Sequence, residues 1–170
     1  MSVSPVVGRS LKAIDRAIRD GRLGEARDAL AGLANDPALA SAHALRMARL
    51  CERERDAAGQ VRWVVRGAEA WTSACPEPLL AHVQALLPLR DEPDALSAFE
   101  RLAERWPDHP AVLFGRGRPL QWTGRRSEAL ALLERALAAA PEVWPYHQAR
   151  LELLLTERPA DVDAALDRIA

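Results

Sequence analysis

Apolar residues along this chain recur at intervals of three and four, in blocks separated by short polar, glycine- or proline-bearing breaks. The block from Ser127 to Ala140 is the clearest. Ala129, Leu133, Ala136 and Ala140 fall on one helical face and Leu130 and Leu137 flank it, the spacing of a helix packed along a single stripe. The same period predicts helices over 8–20, 24–35, 39–55, 58–73, 77–89, 93–106, 109–122, 126–139, 142–156 and 161–169. Pro76, Pro107 and Pro141 follow second helices, where a proline stops one helix and helps start the next. The nearest candidate for a strand, Val61 to Val65, is too short and lies inside a longer helical pattern.

The blocks repeat. Shifted by 34 residues, Ala95 falls on Ala129, Phe99 on Leu133, Leu102 on Ala136 and Pro107 on Pro141. Weaker copies precede them: Ala26, Leu30, Leu33 and Pro37, then Val64, Ala68, Trp71 and Pro76, with Ala165 and Ile169 as a fragment at the end. Gly21 and Gly124 each stand five residues before the first small residue of their copies, where a glycine in the left-handed conformation ends a helix. Each unit therefore reads as two helices, and periodicity alone predicts an all-α solenoid of stacked pairs. The units are approximately 8–37, 39–76, 77–107, 109–141 and 142–170, forming one helical-repeat domain over 1–170.

These residues resemble the tetratricopeptide repeat (TPR) family. The match is clearest from Pro110 to Val143, where Gly117, Gly124, Ala129, Leu133, Ala136 and Pro141 fall on signature positions. Leu113 and Leu120 stand where the family usually has a tryptophan and another aromatic, and the unit before lacks the glycine. The resemblance implies a right-handed superhelix of about four and a half antiparallel helix pairs, with a concave surface formed mainly by each unit's first helix. The family's groove positions map onto Ala111, Phe114, Arg118, Gln121 and Trp122 in the best-matched unit. They map onto Glu77, Leu80, Gln84, Leu87 and Pro88 in the unit before, and Gln148, Glu152 and Leu155 in the unit after. Phe114, Arg118, Gln121 and Trp122 would make the mixed apolar and polar surface of a peptide-binding hot spot. The family's clamp for acidic C-terminal tails needs lysines and asparagines on first helices. Lys12 is the sole lysine and Asn35, in a second helix, the sole asparagine, so that clamp is absent.

Composition narrows the class. With 33 alanines and 25 leucines among 170 residues, the chain is built of strong helix formers and has ample apolar surface for a core. A formal charge of −1 with no basic stripe along the units argues against nucleic acid and anionic membrane. The longest charge-free stretch, Pro78 to Leu89, is too short to span a bilayer, and the N-terminus lacks a secretory signal. Cys51 and Cys75 suggest no disulfide framework, and a cytoplasmic, bacterial protein is the expectation.

Little in the chain points to catalysis. His43, His82, His109 and His147 lie in different units, no two of them three or four residues apart, so no metal site is expected. Gly115-Arg116-Gly117-Arg118-Pro119 lacks the third glycine and the strand of a phosphate-binding turn. Gly117 is better explained by close helix packing. The acidic pairs Glu52/Glu54, Asp91/Glu92 and Asp161/Asp163 are too closely spaced to share a helix face. Arg46, Arg49 and Arg53 do share one, either as a solvated face with intrahelical pairs or as a patch for an acidic peptide or carboxylate. The expectation is a noncatalytic scaffold without cofactor that binds a peptide or partner protein. The alternative is the N-terminal recruitment region of a larger enzyme, such as a TPR-fused sulfotransferase, glycosyltransferase or hydroxylase. Self-association through terminal helices, for example around Ala165, Leu166 and Ile169, would cover apolar ends.

Overall fold

A computed structural model of the protein describes residues 5–157. Among the described residues the chain is all-helical, with α1 (Pro5–Arg19), α2 (Leu23–Ala31), α3 (Ala40–Glu54), α4 (Ala57–Glu69), α5 (Leu79–Leu86), α6 (Pro93–Arg105), α7 (Pro110–Trp122), α8 (Arg126–Ala139) and α9 (Trp144–Glu157). Short 3₁₀ turns occupy Pro37–Leu39 and Leu87–Leu89. The predicted helix over 161–169, with Asp161, Asp163, Ala165, Leu166 and Ile169, lies outside the described residues. No helix among the described residues is long and apolar enough to cross a membrane.

The chain forms two compact units, Met1–Leu102 and Ala103–Ala170. In the first, α1 pairs with α2 and α3 with α4; α3 also packs on α1 and α2, and α5 on α4. Ile14, Ala17, Ile18, Ala26, Leu30 and Leu50 make a buried cluster there, edged by Leu23, Leu33 and Met47. In the second unit α7 pairs with α8, and α9 lies against both. Val112, Leu133, Leu153 and Leu154 are its largest enclosed aliphatic side chains. Ala129, Leu133 and Ala136 are fully buried, as the stripe on this helix predicts. A Cβ added at Gly117 would sit 3.4 Å from the Ala129 carbonyl oxygen and 3.6 Å from Leu133 Cγ. Gly117 therefore lets α7 and α8 meet at backbone distance, and the Gly115–Pro119 segment is helix interior.

Among the described residues, the turns inside the pairs follow one rule with one exception. Gly21 and Gly124 have φ of +79° and +80°. Arg55, one 34-residue period after Gly21, has φ +61° and caps α3 in the left-handed conformation. An L-residue there carries steric strain of roughly 1 kcal/mol that glycine avoids. Arg55→Gly should accordingly stabilise the fold by up to roughly 0.6 kcal/mol once the extra freedom of the unfolded chain is counted, read as a small rise in the urea midpoint. The remaining turn, in the unit that lacks the glycine, is made instead by the Leu87–Leu89 3₁₀ turn around Pro88. Asp56 caps α4 by accepting from the Gly59 amide at 2.9 Å. His109 Nδ1 accepts from the Ala111 amide at 3.2 Å ahead of Pro110, a proline in the first turn of α7.

Candidate partner-binding surface

α7 and α9 are the first helices of successive repeats, and a residue of one meets its counterpart in the other. Arg118 on α7 and Glu152 on α9 are 34 positions apart and pair at 2.7 Å. The same Arg118 nitrogen donates to Gln121 Oε1 at 2.8 Å, while Gln148 Nε2 donates to Glu152 Oε1 at 3.2 Å. The Arg118 guanidinium lies 5.4 Å from the centre of the Trp122 ring, within cation–π range. Hydrogen bonding from Arg118 holds the Glu152 carboxyl below its ordinary value. Arg118, Gln121, Trp122, Gln148 and Glu152 thus form one connected patch, in which Trp122 is 45% exposed.

Phe114, predicted for the same surface, is interior: it is 5% exposed, with its ring 5.3 Å from that of Tyr146 and tilted by 38°. Phe114 lies one turn before Arg118 on the same face of α7, and there the Tyr146 ring of α9 packs against it. Burial raises the Tyr146 hydroxyl to about 12, so the pair is an uncharged aromatic floor beneath the patch.

The first unit presents two shallower clefts along its own first helices. Arg49, Glu52 and Arg53 of α3 face Asp15, Ile18 and Arg19 of α1 across about 360 Å³. On the other side of α3, Arg49 and Glu52 share a cleft of about 260 Å³ with Gln84 and Pro88. Arg49 and Gln84 are therefore brought together, with Arg53 on the neighbouring cleft, while Leu80 is half-buried. Arg46 is not on the surface with them. Its side chain is buried and donates to Asp15 at 2.8 Å, Glu77 at 2.7 Å and the Ala42 carbonyl at 3.0 Å. The carboxylates it binds belong to the chain itself, so it offers no site to an acidic ligand.

The histidines serve structure. His43 meets Trp63 edge-on at 5.5 Å. His147 Nε2 lies 2.6 Å from the Pro141 carbonyl. Ser41 Oγ donates to the Gly67 carbonyl at 2.7 Å and sits 3.0 Å from His82 Nε2. A hydroxyl has one proton, so His82 Nε2–H must donate to Ser41, and His82 cannot act as a base on that serine. His82 Nδ1 is then a buried lone pair without a partner. Burial, reinforced by Arg49 and Arg46, lowers the imidazole to about 4. Above pH 6.5 both folded and unfolded forms are neutral; as pH falls from 6.5 towards 4 only the unfolded chain gains the proton. Stability should fall across that window by about 3 kcal/mol. His82→Gln should flatten this part of the profile in urea titrations between pH 7.5 and 4.5; an unchanged slope would refute the assignment.

Among the described residues, no group of three or more His, Cys, Asp or Glu side chains is placed to hold a metal ion. Local spacing along the sequence did not reveal Asp15, Glu77 and Ser41 as members of buried networks. The signal that could have found the first two is opposite charge one repeat apart: Asp15, Arg46 and Glu77 follow at intervals of 31.

A tetratricopeptide-repeat family model matches residues 90–154. Among solved structures, MamA (41 to the end) from Desulfovibrio magneticus RS-1 is similar over 99% of this chain and 93% of that one, at 16% identity and a TM-score of 0.52. The MamA RS-1 ArsTM double mutant gives 18% identity and the same TM-score and coverage. No curated protein matches the chain. This is accordingly a helical-repeat protein with tetratricopeptide-repeat sequence over 90–154, and its likeness to MamA is one of fold.

Proposed function

We propose that this chain is a noncatalytic scaffold that holds a peptide or partner protein against the first-helix faces of its repeats, with α7 and α9 as the principal contact. The observation that carries this reading is the Arg118–Glu152 pair, which fixes Gln121 and Gln148 around a half-exposed Trp122. Side chains already held in place lose little freedom on binding. A tryptophan beside an arginine is the combination most enriched where binding energy concentrates. Because Glu152 neutralises Arg118, the patch suits an apolar or aromatic side chain flanked by polar backbone better than a polyacidic tail. In the first unit, Arg19 and Arg53 beside the α1–α3 cleft suit a carboxylate ligand.

The test is affinity capture on the immobilised chain, with bound proteins quantified by mass spectrometry. Trp122→Ala is expected to weaken retention of the specific partner by about tenfold or more, the effect of losing roughly 1.4 kcal/mol or more of binding energy. An exposed side chain can be truncated without unfolding the unit, which circular dichroism checks. Unchanged retention by a folded variant would remove this patch from the binding surface.

A further inference from the structure

The helix pair α5–α6 follows the same 34-residue pattern as α7–α8, but it is packed differently. Gly117 lets α7 and α8 meet at backbone distance, and its counterpart one repeat earlier is Val83. The Val83 side chain is fully buried, so an isopropyl group fills the place through which the later pair closes. α7 and α8 pack closely, whereas α6 packs closely on neither α5 nor α4. The difference shows at individual residues. Leu96 on α6 is 48% exposed, while Leu130, its counterpart on α8, is 7% exposed. Phe99 is half-buried, while its counterpart Leu133 is fully enclosed.

A narrow strip holds α6. Its buried residues are Ala95, Ala98 and Leu102, and the two alanines offer one methyl group each. α8 buries Leu130 and Leu133 beside its own two alanines. Stabilisation by burial grows with the apolar area removed from water, so α6 is held less firmly than α8. Arg101 of α6 pairs with Glu69 at the end of α4, but both side chains are about half exposed. A pair so open to water contributes little. Local unfolding concentrates where few apolar groups are buried. We propose that α6 is a displaceable strap, which lifts off by local unfolding while α1–α4 and the unit containing α7–α9 stay folded. Release makes Ala95, Ala98, Phe99 and Leu102 available together, an apolar helix face largely hidden in the closed form. This inference uses none of the residues of the α7–α9 patch and is independent of partner capture there.

Hydrogen exchange on the full chain, followed by mass spectrometry near neutral pH, tests the strap. After correction for intrinsic rates, amides of α6 should exchange at least about tenfold faster than those of α8. With added urea, exchange in α6 should rise less steeply than in α3 or α8, because local opening exposes less surface than unfolding a whole unit. Gly117→Val places the valine of the earlier pair in the later one and should speed α8 exchange by about tenfold. The wild-type comparison between α6 and α8 stands whether or not that variant folds. Three results would overturn the proposal: α6 protected as well as α8, a urea dependence of α6 equal to that of α3 and α8, or unchanged α8 exchange in a folded Gly117→Val chain.

Discussion

Arg46→Ala is expected to destabilise the first unit by about 3 kcal/mol, with 5 as the upper end for removing one partner of a buried ion pair. The guanidinium is 4% exposed, whereas Asp15 and Glu77 retain 25% and 21% exposure. Water can therefore relieve part of the charge left behind, which places the expected loss at the lower end. Arg46 binds α1 through Asp15 and the segment before α5 through Glu77, and both contacts go together. Arg46→Lys should fall between wild type and alanine: an ammonium keeps the charge but lacks the planar fork that reaches both carboxylates and the Ala42 carbonyl. Urea unfolding followed by circular dichroism measures all three chains. A loss below about 0.5 kcal/mol for alanine, the level of an ordinary surface substitution, would show that the network contributes nothing net.

Leu133→Ala should cost the second unit about 2–5 kcal/mol. Two features favour the upper half of that range. Leu133 is fully enclosed, and at Gly117 the α7 backbone already lies against α8. The helices cannot move closer to fill the space, so the cavity stays open, and an open cavity is what makes such truncations expensive. Leu133→Met, which roughly conserves volume, should lose less than about 1.5 kcal/mol. Equal losses for the two variants would place Leu133 outside the contact between α7 and α8.

Helix positions were legible because the signal is periodic and mostly local. The stripe Ala129–Leu133–Ala136 predicts the α8 core face, and Gly21 and Gly124 mark turns by a conformation few other residues accept. Arg55 adopts that same conformation without any sign in its own identity; only its place 34 residues after Gly21 reveals it. The surface was harder to read. Arg46, Arg49 and Arg53 look alike on a helical wheel, yet Arg46 is buried because its partners come from outside α3. Phe114 and Trp122 both suit an exposed patch by composition. Tyr146 on α9 decides that Phe114 is interior, and no spacing within α7 reports that. The Arg118–Glu152 pair was within reach of sequence, because equivalent positions on adjacent first helices face each other.

The most direct test of the account is where a partner touches. A photoreactive phenylalanine analogue placed at Gln148, on the α9 edge of the patch, is expected to crosslink the partner identified by capture. The same analogue at Ala138, exposed on the second helix α8, is expected to leave it unlinked. Strong crosslinking from Ala138 with none from Gln148 would contradict binding by the first-helix faces.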